Sequence, residues 1–133
     1  MIRRWLGNWL GGKPPTRNEL GRMGEDVAAK ELRRRGYRIR ERNFRCSRGE
    51  INIVAEEGGE IVIVEVKTRS GGSHGDPQDA VTAAKARKLI SLGEAYLAQK
   101  ELHDVDWRID VVAVRTDLPT GRQVEIIRNA VSG

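Results

Sequence analysis

The sequence predicts an α/β domain on a mixed β-sheet flanked by helices, in the order α-β-β-β-α-β-β. Three observations carry this expectation. Val (12) and Ile (10) outnumber Leu (9) among only six aromatics, which favours an aliphatic core with a substantial sheet. Two stretches of helical apolar spacing alternate with strand-like runs. The run 61–67, Ile-Val-Ile-Val-Glu-Val-Lys, is apolar on both faces until Glu65, as a strand at the sheet centre should be. At 133 residues and 14.9 kDa there is room for one domain, here 16–133. Residues 1–15 read as a flexible basic, aromatic tail ending at Gly-Gly-Lys-Pro-Pro. The i, i+4 pairs Trp5/Trp9 and Leu6/Leu10 beside Arg3 and Arg4 also fit a short amphipathic helix for a partner or membrane surface.

Thr16 and Glu19 form a T-x-x-E capping box, and Gly36 suits the residue just past a helix end, so the first helix lies between them. Leu20, Met23, Val27, Ala28 and Leu32 make its apolar stripe. Glu25 falls at the edge of that stripe, and Glu31 falls within it without an evident reason. Tyr37 and Ile39 then alternate with Arg38, Arg40 and Arg42, giving a half-buried strand with a basic outer face. Residues 49–56 and 60–69 are β-rich and joined through Glu57-Gly58-Gly59, a hairpin signal. Residues 70–75 read as a mobile loop. Asp76 and Pro77 supply an N-cap and first-turn proline for a second helix running to about Lys100. Residues 107–114 form another apolar strand carrying Asp110, and 124–131 a last strand at an edge.

The net charge of +5 is unevenly spread. Residues 33–48 hold eight Arg and one acid, Glu41, and 1–18 add four basic residues and no acid; the remainder is net acidic. A basic face on an acidic body points to a polyanion partner, or to a solvated arginine-rich surface. Cys46 is the only cysteine, so an internal disulfide and a cysteine-based zinc site are both excluded. That suits a reducing, cytoplasmic setting. No stretch approaches the roughly 20 apolar residues of a membrane span.

The chemistry concentrates in one short pattern. Glu65 and Lys67 stand at i, i+2 on the central strand and project from one face. A carboxylate can hold a divalent metal there, and a lysine beside it can orient water or stabilise charge on phosphate. An E-x-K pair alone is common and also fits a charged strand end. The hairpin strand Gly49-Glu50-Ile51-Asn52-Ile53-Val54 before it adds weight.

Gly24-Glu25, Arg48-Gly49-Glu50-Ile51-Asn52, Val64-Glu65-Val66-Lys67-Thr68-Arg69 and Asp110-Val111-Val112-Ala113-Val114 occur in an order and spacing that resembles the YraN-like family of uncharacterised bacterial proteins. That family is itself similar to archaeal Holliday junction resolvases. The resemblance covers about residues 17–131. It implies a restriction-endonuclease-like fold with a PD-(D/E)XK site and Mg²⁺ or Mn²⁺ as cofactor. It also implies endonuclease action on branched or structured DNA, and a two-fold homodimer. By the same resemblance Glu25, the residue at 52 and Glu65 are metal ligands, and Lys67 is the catalytic lysine. Arg34, Arg38, Arg40, Arg42, Arg45, Arg48 and Arg69 are the candidate phosphate contacts, with Glu50 and Gln78 as auxiliary positions.

The departure is Asn52, where the family pattern has Asp. An amide offers a neutral oxygen, so a hard dication should bind more weakly. Several explanations stay open: a non-cleaving binder, a substitution introduced at the site, compensation by Glu50, or a weak asparagine-containing metal site. A non-catalytic DNA- or RNA-binding module is the alternative to the nuclease.

Overall fold

The computed structural model describes residues 13–69, 81–116 and 124–131. Seven elements follow the expected order: α1 (Arg17–Arg34), β1 (Arg38–Cys46), β2 (Gly49–Glu57), β3 (Glu60–Arg69), α2 (Ala83–Gln99), β4 (Trp107–Arg115) and β5 (Val124–Ile127). The sheet runs β1-β2-β3-β4-β5. β1, β2 and β3 are antiparallel neighbours, β3 and β4 are parallel, and β4 and β5 are antiparallel. The apolar run 61–67 therefore lies in the middle strand, as its two-sided hydrophobicity requires.

Each face of the sheet carries one helix. Ala28, Ala29 and Leu32 of α1 pack on Ile53, Ala55, Val62, Val64, Val112 and Val114. On the other face, Leu89, Leu92 and Tyr96 of α2 pack on Ile51, Val54, Ile61, Ile63 and Ile109. Full burial of one such leucine contributes about 2 kcal/mol by transfer from water. The close fit of α1 depends on Gly24, where a Cβ would lie 1.9 Å from Thr68 Oγ1 on β3. α2 depends likewise on Gly93, whose Cβ would stand 2.2 Å from the Trp107 ring.

Local signals explain the boundaries. Thr16 and Glu19 close the capping box reciprocally, with Thr16 N–H donating to Glu19 at 2.8 Å and Glu19 N–H to Thr16 Oγ1 at 3.1 Å. Gly36 has φ +92°, and the hairpin turns on Gly58 (φ +62°) and Gly59 (φ +81°), both of which favour a residue without Cβ. Glu31, unexplained in the sequence, takes hydrogen bonds from Arg34 and Arg35 one turn further along α1. Its carboxylate thereby answers two of the basic residues at the helix end.

Two expected boundaries are corrected. Val81 and Thr82 are not helical, and Thr82, not Asp76, caps α2, its hydroxyl accepting from Lys85 N–H at 3.1 Å. The last strand is four residues long and ends before a turn at Arg128 and Asn129. Asn129 takes φ +51°, and its backbone N–H donates to Asp110 instead of extending the ladder. The expected tail before Lys13, the loop at 70–75, Asp76, Pro77 and Gln78 lie outside the described residues. Among the described residues, no helix is long and apolar enough to cross a membrane.

Candidate functional site

The site lies where β2 and β3 cease to pair. Their ladder runs from Glu57↔Glu60 to Ile53↔Val64 and stops. At the next position the side chain of Asn52 replaces the backbone: its Oδ1 accepts the Val66 N–H at 2.8 Å. Its Nδ2 reaches Glu25 Oε2 of α1 at a long 3.4 Å. The tight seat of Gly24 on Thr68 delivers Glu25 to this point, since the two residues are consecutive on α1. α1, β2 and β3 thus converge on Asn52, through the packing of Gly24 on Thr68 and two hydrogen bonds of the amide.

Glu65 and Lys67 complete the group. Glu65 is only 7% exposed. Its Oε2 has Lys67 Nζ at 3.5 Å and Lys85 Nζ, from the first turn of α2, at 2.7 Å. Lys85 is the nearer partner, and sequence reasoning missed it. A signal was present: a lysine in a helix's first turn, with no acid there, opposes the helix dipole and calls for a reason. Two lysines on one carboxylate leave a net positive charge at the end of the central strand, the right sign for a phosphate oxygen.

Glu25 has its carboxyl pushed above the ordinary range. Burial is the main cause, followed by the negative charge of Glu50, with Asp26 and Glu65 adding smaller repulsions against the attraction of Arg42. Glu50 is therefore electrostatically part of the site, although its own ion pair is with Arg45 at 2.7 Å. Around Glu25 opens a cleft of about 850 Å³ lined by Arg17, Arg22, Asp26, Arg42, Arg45 and Glu50, among others.

The candidate phosphate contacts do not form a single patch. Arg42 and Arg45 line this cleft, Arg42 bonded to Asp26 at 2.7 Å. Arg69 lines a neighbouring cleft with Thr68 and Glu25. Arg48 bonds Ser91 Oγ at 2.8 Å and so ties the β1–β2 connection to α2. Arg38 and Arg40 share Glu56 toward the opposite end of β2, and Arg34 is held by Glu31. The local positive charge read along the chain is dispersed, with Arg34, Arg35, Arg38, Arg40, Arg42 and Arg45 each paired to an acid and Arg48 bonded to Ser91. Arg17 and Arg22, outside the arginine-rich segment, are the cleft residues it overlooked.

Asp110 stands away from this group. It is fully buried and takes hydrogen bonds from Tyr37 Oη at 2.8 Å, Arg108 Nε at 3.0 Å and Asn129 N–H at 2.9 Å. Arg108 also pairs with Glu57 and Glu60, the residues flanking the hairpin turn, at 2.7 Å each. Burial alone would lower the Arg108 pKa; the hydrogen bonds from this ring of acceptors raise it well above the ordinary value. This is a structural lock at the other end of the sheet.

A dication site of three carboxylates is not what these residues make. Among the described residues, no three His, Cys, Asp or Glu side chains are grouped to hold a metal ion. Asn52 contributes a neutral oxygen already engaged by Val66 and turns an N–H donor toward Glu25, while Glu65 is neutralised by lysines. The residues present do not fit a tightly held Mg²⁺.

Fold and site together define an α/β protein with a mixed five-stranded sheet and a carboxylate–amide–lysine cluster at the end of its central strand. Its sequence matches the profile of Uncharacterised protein family UPF0102 over residues 24–114. The chain belongs to this family, the YraN-like group. Among its relatives, a UPF0102 protein of Syntrophotalea carbinolica is 50% identical over 99 residues, covering 74% of this chain and 80% of that one. One of Geobacter sulfurreducens is 47% identical over 111 residues (84% and 87%), and one of Moorella thermoacetica 46% over 118 (86% and 97%).

Proposed function

We propose that this protein holds the phosphodiester backbone of branched or otherwise structured DNA in a nuclease-type site whose cleavage chemistry is impaired by Asn52. The observation that carries the reading is the shared grip of Lys67 and Lys85 on Glu65 Oε2, beside the Asn52–Glu25 contact. A phosphate oxygen arriving there meets two ammonium groups that one carboxylate only half neutralises. The desolvated position strengthens such contacts relative to open water. Backbone contacts of this kind position a nucleic acid without reading its bases, which suits recognition by shape. A two-fold dimer, which would present two such sites to a symmetric junction, belongs to the same proposal.

A second reading is a metal-dependent endonuclease with weakly bound Mg²⁺ or Mn²⁺. It is favoured by the crowding of carboxylates on Glu25, whose carboxyl is raised first by burial, then by Glu50, and least by Glu65. A dication is one way to relieve that repulsion. In this reading Glu25, Asn52 and Glu65 would supply its oxygens and Lys67 would assist the attacking water.

One experiment separates the two. The protein is incubated with a four-way junction, plain duplex and single strand, with Mg²⁺ or Mn²⁺, alongside Asn52→Asp, Lys67→Ala and the double variant. The expected result is binding without cutting by the parent, cutting by Asn52→Asp, and none by the double variant. Cutting by the parent that disappears in Lys67→Ala would establish the second reading instead. Failure of every protein to bind or cut any DNA overturns both, and recovery of RNA alone from a mixed pool would replace DNA as the partner.

A further inference from the structure

Arg17, Gly21 and Glu25 recur every fourth residue on α1 and so stand one above the next along the helix. Two clefts meet along this stripe. The larger, about 850 Å³, lies between α1 and the Arg42–Arg45 stretch of β1. The smaller, about 380 Å³, lies between α1 and Val66, Thr68 and Arg69 at the end of β3. The same three residues line both clefts. A continuous ridge of side chains would separate them. The middle of the ridge is a glycine, and a Cβ placed there would meet nothing within 4 Å among the described residues.

That open space requires a reason. Glycine in a helix interior is less favourable than alanine because it gives up more backbone freedom and offers no side chain. Gly24 has its reason in packing, since Thr68 occupies the place of its Cβ. Gly21 has none among the described residues. Charge supplies a second observation. The larger cleft carries Arg17, Arg22, Arg42 and Arg45 against Glu25, Asp26 and Glu50, and the smaller carries Arg17 and Arg69 against Glu25. Both are net positive, with guanidinium groups, whose planar fork suits phosphate, toward either end.

We propose that Gly21 is a pass over which one nucleic-acid strand crosses α1, from the Arg22–Arg42–Arg45 side to the Arg69 side, with its backbone above Glu25. The inference rests on the DNA-holding reading above and specifies the strand's path. The missing side chain at 21 is what lets the two clefts act as one channel.

The test is fluorescence anisotropy with a labelled four-way junction and a labelled single strand, as a function of salt, on the parent and five variants, Lys67→Ala among them. Gly21→Ala should raise Tm, because the added methyl meets no neighbour, while weakening binding two- to threefold. Gly21→Leu should weaken binding at least tenfold with Tm no lower than the parent's. Arg22→Ala and Arg69→Ala, at opposite ends of the path, should each reduce the slope of log affinity against log salt by about 0.7–0.9. If Gly21→Leu proves unstable, Gly21→Ala and the two arginine variants decide the matter. Parent-like binding by Gly21→Ala, Arg22→Ala and Arg69→Ala, alongside loss in Lys67→Ala, overturns the path and leaves the DNA-holding reading standing. A parent that binds no nucleic acid overturns both.

Discussion

The side chain of Asn52 stands in for a missing rung of the β2–β3 ladder, its Oδ1 accepting the Val66 N–H at 2.8 Å. The position is therefore structural as well as chemical, and the two roles can be separated. Aspartate keeps an acceptor for Val66 but replaces the amide donor facing Glu25 with a second negative charge. Asn52→Asp should lower Tm without a dication and regain it with Mg²⁺ or Mn²⁺, read by thermal melts with and without chelator. Asn52→Ala, which leaves the Val66 N–H unpaired, should cost about 1–3 kcal/mol whatever the metal.

Lys85 and Lys67 share one carboxylate oxygen, but unequally, at 2.7 Å and 3.5 Å. Removing one partner of a buried carboxylate strands its charge, which here is softened by the second lysine and by the part-exposure of both. Lys85→Ala should destabilise by about 1 kcal/mol and Lys67→Ala by less, in urea melts. Both should weaken DNA binding. The double variant, leaving Glu65 without either ammonium, should lose more than the sum of the two.

Gly24 and Gly21 sit one turn apart on α1 and should respond oppositely to the same methyl group. Gly24→Ala places Cβ in collision with Thr68 Oγ1, so the helix must move from the sheet, at about 1–3 kcal/mol or more. Because Glu25 is the next residue, DNA binding should fall with stability. Replacing Thr68 with glycine in the same protein should restore part of both. Gly21→Ala should stabilise by up to about 1 kcal/mol.

The raised pKa of Glu25 fixes the sign of its pH dependence. A carboxyl whose folded value exceeds its ordinary 4.5 is harder to ionise in the folded chain, so its charge opposes folding at neutral pH. Below 4.5 the group is protonated in both states and the effect vanishes. Glu25→Gln should therefore raise Tm at pH 7, and its advantage should shrink as pH falls through the folded value. A constant advantage from pH 7 to pH 4 would contradict the assignment.

Arg108 holds the far end of the sheet together. Its removal leaves Asp110, at 0% exposure, with Tyr37 and Asn129 but without its ion pair, frees Glu60 and leaves Glu57 to Arg128. Arg108→Ala should cost about 3–5 kcal/mol, seen as a large drop in denaturant midpoint. Arg108→Met together with Asp110→Leu should recover much of it, because neither charge is then buried alone.

Much of the architecture was legible in local pattern. The capping box at Thr16, the two glycines of the hairpin and the two-sided apolar run of β3 each express a constraint acting within a few residues, and the fold honours all three. The start of α2 differs from the Asp-Pro reading because Thr82 supplies the cap, its hydroxyl accepting the Lys85 N–H. The end of β5 was misplaced because its last residues remain strand-like in sequence, while buried Asp110 draws the Asn129 N–H out of the ladder. Glu25, Glu65, Lys67 and Asn52 were found from spacing and family resemblance. Lys85, Arg17 and Arg22 were not, since each joins the site only through contacts across the fold.

The arginine-rich segment 33–48 shows the same division most clearly. Sequence by itself determined the order of elements, the central strand and the presence of an E-x-K pair, because periodicity and turn chemistry act locally. It also showed a concentrated positive charge. Only tertiary structure decided where that charge goes: to Glu31, Asp26, Glu50 and Glu56, acids distributed between α1 and β2. Charges separated along the chain meet when strands pair and helices dock, and the electrostatics of a site belong to distances that no linear spacing contains.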